Sequence, residues 1–402
     1  MAPSGSSTRV VAAPGAPVPT ESPAREGLGV SIVIVLGAFV LSQVLLLFAG
    51  SLAGTDVASS SSFARWDSVH YLDIASKGYD LHHCDPATYV ESIYSRRDWC
   101  GNAGWFPGYP IAIRAVSGTF GLAPATAGML IARAAHLGVL ALLWFAFLRR
   151  RPRVPALLAL GVAAVFPGFV YQDGIFPVSL ALVAIVASLA LFARQRWWAA
   201  GVVGAVAVVS YPSAITLVLV GGLAALAQPA LGDVRRRLAC ALAYAVPLVA
   251  AYAGALVMWQ RSVGRWDAWM VTQRHYGYGP TFFVSTWWDH LRAGVPLGIG
   301  TTGPALQTLL VALVVGGALT VAFVNRGRLD AQEITIAAYA AVFWLVPLSM
   351  GGALSLYRAE ALLVPTAVLT VRFPCRYQVA ALVACVVVGL VMAVGFFDSS
   401  LI

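Results

Sequence analysis

Lysine is almost absent from this chain: Lys77 is the single example in 402 residues, so the formal net charge of +9 rests almost wholly on arginine. Charge of either sign is scarce, at 11% of residues, against 59% hydrophobic residues and a mean hydropathy of +0.80. A water-soluble fold would have nowhere to put so much apolar surface. The arginines sit in short connections between apolar runs, which is the positive-inside pattern of a polytopic membrane protein and argues against a nucleic-acid partner. A Gly-rich phosphate loop and a Rossmann pattern are both missing, so nothing points to a nucleotide substrate. No repeat of 20 to 50 residues is evident.

What is there is a succession of apolar runs. Residues 1–27 are rich in Pro, Ala, Gly and Ser without a hydrophobic period and read as a disordered cytoplasmic tail. The run from Leu28 to Ala49 is longer than the core of a signal peptide and reads as a first transmembrane helix. A large loop at 50–123 follows, ending in a short interfacial helix from Tyr109 to Phe120. The span from Pro124 to Leu148 then runs into Arg149, Arg150, Arg151 and Arg153, which fixes that end as cytoplasmic and the preceding loop as external. Val154 to Tyr171 returns outward, and Phe176 to Ala193 comes back to Arg194 and Arg196.

The next run, Trp198 to Ala227, is too long for one crossing of ordinary length and is followed by Arg235, Arg236 and Arg237. A single crossing would leave those arginines outside. The conflict disappears if the run doubles back at Tyr211-Pro212-Ser213, because proline removes a donor and disfavours helix before it. Leu238 to Gln260 then crosses outward to a second external loop at 261–303, whose ends carry Trp266, Trp269, Trp287 and Trp288, with Trp259 just before it. These are aromatic-belt residues or a platform for sugar or lipid. Spans at Pro304–Val324, Gln332–Met350, Ala353–Val371 and Tyr377–Phe397 complete an all-α polytopic bundle of about ten or eleven membrane segments.

The wettest stretch follows the first span: Arg65-Trp66-Asp67-Ser68-Val69-His70-Tyr71-Leu72-Asp73-Ile74-Ala75-Ser76-Lys77-Gly78-Tyr79-Asp80, answered by Gly104-Trp105-Phe106-Pro107-Gly108-Tyr109-Pro110. Read as an interfacial helix from Ser68 to Lys77, it puts Asp67 at the N-cap. There the carboxylate either caps free N–H groups or faces water and does chemistry. Arg65 ion-pairs with Asp67 or binds phosphate. Topology brings Asp67, Asp173, Tyr211, Arg358 and Glu360 to the same external face; Arg358 serves a site there, or snorkels, or pairs with Glu360. Asp73 and Asp80 read as solvated charges, and His275 is a weaker candidate. His82-His83-Cys84-Asp85 is a poor metal motif, since adjacent histidines do not easily share one ion, so no metal and no cofactor is expected. Cys84 and Cys100, both in the first external loop, are candidates for a disulfide; Cys240, Cys375 and Cys385 lie in or beside spans.

Arg65-Trp66-Asp67, Tyr71-Leu72, Ile74-Ala75 and Gly78-Tyr79, followed by Trp105-Phe106-Pro107-Gly108-Tyr109-Pro110, resemble the signature of the PIG-V family of GPI-anchor mannosyltransferases and its bacterial relatives. The resemblance implies a GT-C fold and transfer of mannose from a polyprenyl-phosphate donor to an extracytoplasmic hydroxyl on a glycolipid, glycan or protein. It also implies a catalytic aspartate in the first external loop, which here is Asp67. Tyr171-Gln172-Asp173-Gly174-Ile175-Phe176 looks like a degenerate form of a second family segment, with Asp173 in its acidic place. Ser355-Leu356-Tyr357-Arg358 followed by Pro365 resembles a late Ser-x-x-Arg segment. Ser210-Tyr211-Pro212-Ser213 departs from the arginine that relatives often carry there. The expected site is thus Asp67 as base, with Arg65, Trp66, His70, Asp173, Tyr211, Arg358 and Glu360 around the substrate. A lipid or solute transporter and an inactive membrane scaffold are the competing readings. A transporter would place its charges near midplane, usually within inverted repeats.

Overall fold

The computed structural model describes residues 27–85, 98–274, 279–294, 299–351 and 356–401. Residues 1–26 of the expected tail at 1–27, His275, Ser355 and part of the turn at Gly351-Gly352 lie outside the described residues. The protein is a helical bundle. Its first helix, α1 (Leu28–Leu52), packs on α4 (Pro124–Leu142), α5 (Arg153–Ala164) and α16 (Cys375–Phe397). Between α1 and α4 lie α2 (Ser68–Lys77), a two-stranded hairpin of β1 (Leu81–His83) and β2 (Trp99–Gly101), and α3 (Gly108–Phe120). Large apolar side chains such as Val33, Leu313 and Phe323 point outward at 69, 65 and 68% exposure, as suits a surface bathed in lipid.

Among the described residues, six helices are long and apolar enough to cross a membrane: α1, α4 with its π-wound end Leu143–Leu148, α10 (Val234–Val263), α13 (Ile299–Val324), α14 (Ala331–Ser349) and α16. Four shorter apolar segments lie among them: α5, α7 (Val178–Ala193), α8 (Trp197–Ser210) and the pair formed by a 3-10 turn, Pro212–Thr216, with α9 (Leu217–Leu226). Two expected spans are not continuous α-helices. The one drawn from Val154 to Tyr171 stops at Ala164, because Pro167 and Gly168, the latter at φ +80°, cannot continue it; a single turn, α6 (Val170–Asp173), follows. The other begins as α15 (Leu356–Glu360) and tightens into a 3-10 helix over Ala361–Arg372, with Pro365 inside. At about 2 Å per residue, those twelve residues reach about 24 Å, further than the same number in an α-helix.

The run from Trp197 does double back. Gly201 of α8 and Gly221 of α9 both press on Tyr244 of α10, and an added Cβ at either would collide with it. Gly204 meets Leu248 and Leu217, so α8 and α10 run the same way and α9 runs against both. Two residues twenty apart in one helix would stand about 30 Å apart and could not touch one tyrosine. The reversal lies at Tyr211, the extended residue between α8 and Pro212.

The arginine-rich turns are tied together at one end. Glu333, fully buried, accepts two hydrogen bonds of 2.7 Å from Arg372 and lies 3.5 Å from Arg151. Asp330 and Glu333 cap α14 reciprocally, and Asp330 also takes Arg151 at 2.5 Å. A cavity of about 330 Å³ lined by Arg151, Asn325, Glu333 and Arg372 belongs to this end. The helix α10 is about 45 Å long at 1.5 Å per residue, more than a bilayer core requires. Its far end projects to the opposite side, where Trp259 packs with Phe106 of the first loop.

The reversal makes a checkable statement about sidedness. A cysteine at exposed Ala230, introduced with Cys240, Cys375 and Cys385 removed, should resist an impermeant thiol reagent in intact cells and react once the membrane is opened. Equal labelling before and after opening would contradict the hairpin.

Candidate active site

At the end opposite Glu333, the structure joins residues from both ends of the chain. Arg358 donates from Nη1 to Asp67 Oδ2 across 291 positions of sequence; the two side chains keep 15 and 31% of their exposure. Asp67 stands at the start of α2, but its carboxylate makes no capping bond. Trp66, just before it, is held at φ +44°, a left-handed conformation costly for a bulky residue. The Trp66 ring meets Phe396 of α16 edge-on at 5.3 Å. Local backbone strain and the ion pair therefore coincide at one carboxylate.

Several aromatic rings surround the pair. The Arg358 guanidinium lies 5.8 Å from the Phe176 ring and 6.0 Å from the Tyr357 ring, and Tyr171 packs on Tyr357 at 5.6 Å. Tyr71, one turn along α2, is buried. Its phenol is held well above its ordinary pKa, first by burial, then by the negative charge of Asp67 and by Tyr211, with Arg358 acting in the opposite sense. Tyr211 thus belongs to the same cluster as Asp67, Tyr71 and Arg358. The His70 ring stacks on Trp105 at 3.5 Å with the planes 15° apart. Burial lowers its pKa, with Asp67 and Asp73 pulling the other way, so a neutral imidazole lines this wall at neutral pH.

The first loop is braced as a unit. Asn102 donates to Asp73 at 3.1 Å and to the Gly78 carbonyl at 3.0 Å, and accepts from the Asp80 N–H at 2.8 Å. Asp73 also pairs with Lys77 at 2.7 Å, so it is a structural rather than a merely solvated charge. Arg114 of α3 caps the end of α2 by donating to the carbonyls of Ile74 and Ala75 at 2.7 and 2.8 Å. Cys84 and Cys100 form a disulfide across the β-hairpin, which removes Cys84 from any metal motif. Gly108 opens α3 against α8: an added Cβ would strike Ser210 Oγ and come within 2.9 Å of the Val209 carbonyl oxygen. The Trp105-Phe106-Pro107-Gly108 segment is in this way seated beside Tyr211. Gln273 of α11 (Ala268–Gln273) reaches the Gly104 carbonyl at 3.0 Å and joins the second loop to the first.

Three expected site residues have other roles. Arg65 does not pair with Asp67; its Nη2 donates to the Phe397 carbonyl at 2.9 Å, tying the loop to the end of α16. Glu360 does not pair with Arg358. Two residues on, a little over half a helical turn, it faces into the bundle, where it is 3% exposed and accepts from Gln307 at 3.1 Å. Asp173 is fully buried, because the single turn α6 points it inward. It takes His136 Nδ1 at 2.8 Å and Gln43 at 3.0 Å, with Arg133 Nε 3.9 Å away. Arg133 in turn donates to the Val57 carbonyl at 3.2 Å and lies over the Phe63 ring at 4.9 Å. Ile175, two residues past Asp173, donates to the Phe63 carbonyl at 3.0 Å. Asp173 accordingly anchors the loop that delivers Asp67. Tyr71, Phe176 and Tyr357 all stand inside the matched segments but were not among the expected site residues; membership of those segments, and for Tyr71 its helical spacing from Asp67, were the signals available.

No family model and no curated protein sequence matches the chain. Among solved structures it is similar to the Archaeoglobus fulgidus oligosaccharyltransferase, seen in a crystal structure with a tethered acceptor peptide containing the NVT sequon. The TM-score is 0.51 at 14% identity, over 92% of this chain and 55% of that one. The chain thus spans about half the length of that protein, and the likeness is one of fold: an all-α, GT-C-like membrane bundle.

If Asp173 is an anchor, Asp173→Ala leaves the buried His136 ring without its carboxylate partner and takes the carboxylate away from part-exposed Arg133. Removing one member of a buried ionic group typically costs about 3–5 kcal/mol, so the melting temperature in detergent should fall clearly. An unchanged melting temperature with impaired substrate binding would return Asp173 to the substrate surface.

Proposed function

We propose that this chain is a membrane glycosyltransferase that moves a sugar, mannose by its resemblance to the PIG-V family, from a polyprenyl-phosphate donor to a hydroxyl of a glycolipid, glycan or protein. Asp67 is the general base and Arg358 the ligand of the donor phosphate. The observation that carries this reading is the Asp67–Arg358 pair, brought together from distant parts of the chain beside a strained tryptophan. The shared fold with an oligosaccharyltransferase supports it at the level of architecture. The positive-inside rule, applied to the arginine turns at the opposite end, supports an extracytoplasmic site.

The geometry suggests how the pair works. An arginine fork binds a phosphate at least as well as a carboxylate, so an arriving donor takes Arg358 and frees the Asp67 oxygens. Asp67 then accepts the proton of the acceptor hydroxyl as that oxygen bonds to the anomeric carbon. The bond from that carbon to the phosphate oxygen breaks, and Arg358 stabilises the leaving phosphate. Trp66, His70 and Tyr211 flank the space where the sugar would lie, and neutral His70 can both donate and accept a hydrogen bond there. Arg65, Asp173 and Glu360 act behind these residues by holding the loops and α15.

The test is transfer from radiolabelled polyprenyl-phosphate mannose in membranes holding the wild type or Asp67→Asn. Asparagine keeps an oxygen for Arg358, so folding should survive. Loss of a general base typically slows the reaction by about 10² to 10⁴. Near-normal transfer by Asp67→Asn would remove Asp67 from the chemistry.

A further inference from the structure

The helix α12 (Phe283–Ala293) in the second loop is built inside out. Its buried positions are Thr286 and His290, one turn apart, while Phe283, Val284 and Trp288, with Phe282 at its N-cap, are exposed. An amphipathic helix on a soluble protein buries the opposite face. The inversion makes physical sense where lipid lies outside and the protein interior is polar. The inner face packs toward α13 and α14, and the His290 ring stands 6.5 Å from the Tyr357 ring, next to Arg358 in sequence. His290 is 6% exposed, and neither of its ring nitrogens has a hydrogen-bond partner among the described residues. Two unsatisfied nitrogens on one buried imidazole are a costly arrangement, and burial alone pushes its pKa down to about 4.

We propose that His290 is a second ligand of the donor phosphate, donating a ring N–H to it from the membrane-facing wall of the site while the outer face of α12 lies among the lipids along which the donor's chain arrives. The assignment rests on the glycosyltransferase reading and deepens it. It explains why a polar stripe faces inward from an aromatic helix, and why the imidazole has no hydrogen-bond partner among the described residues. Phosphate supplies the acceptor that the fold withholds.

The experiment measures binding of polyprenyl phosphate, without a sugar, to purified protein in detergent, with inorganic phosphate as a separate arm. Loss of a charge-assisted hydrogen bond should weaken polyprenyl phosphate about ten- to a hundred-fold in His290→Leu. The substitution should not lower the melting temperature of the unliganded protein, because it removes two unsatisfied nitrogens. His290→Gln, which keeps a donor, should recover part of the affinity. Inorganic phosphate, lacking the chain that α12 guides, should bind far more weakly to all three proteins. Equal affinity of wild type, His290→Leu and His290→Gln for polyprenyl phosphate would overturn the role of His290 and leave the donor reading standing. A wild type that fails to bind polyprenyl phosphate would overturn both.

Discussion

Joining Asp67 to Arg358 takes two charges largely out of solvent, and a pair so placed persists only while its geometry is maintained from outside. Much of the architecture at this end can be understood as that maintenance. The strained backbone at Trp66 presents Asp67, and the Phe396 ring and the Arg65 bond to Phe397 hold the strained turn against α16. On the other side, α15 starts just ahead of Arg358 and hands over to a 3-10 helix that runs to Arg372, itself bound to buried Glu333 at the far end of the bundle. Arg358 is thereby set in height by an interaction on the opposite side of the protein.

Burial separates the carboxylates at this end of the bundle. Asp173 and Glu360 are carboxylates near the site by sequence and topology, yet both lie inside the bundle with hydrogen-bond partners of their own. Asp67 retains about a third of its exposure, which leaves its carboxylate within reach of a substrate under the proposed reaction. The two large loops add rigidity: Asn102, the Cys84–Cys100 bridge and the contact of Gln273 with Gly104 make one cap from two segments far apart in sequence.

The spans were largely legible, because a lipid-facing helix needs long apolar runs and its arginines declare one side. The reversal at Tyr211-Pro212 was legible for the same reason: charge sidedness and helix length disagreed, and proline offered the break. Asp67 stood out by its motif. The partner of Arg358 did not, since Glu360 was near in sequence whereas Asp67 became near only through the packing of α16 and α15 around the first loop. The inward turn of Asp173 depends on a single helical turn after Gly168, too short to leave a periodic pattern. His290 escaped notice because a helix with aromatics outside and histidine inside reads, as sequence, like an ordinary amphipathic one turned the wrong way.

The most direct measurement of the central claim is a structure of the protein with a non-transferable phosphonate analogue of a polyprenyl-phosphate sugar. The phosphonate is expected on Arg358, with the Asp67–Arg358 contact opened and the Asp67 carboxylate facing the anomeric carbon. An analogue bound elsewhere, with Asp67 still paired to Arg358, would contradict it.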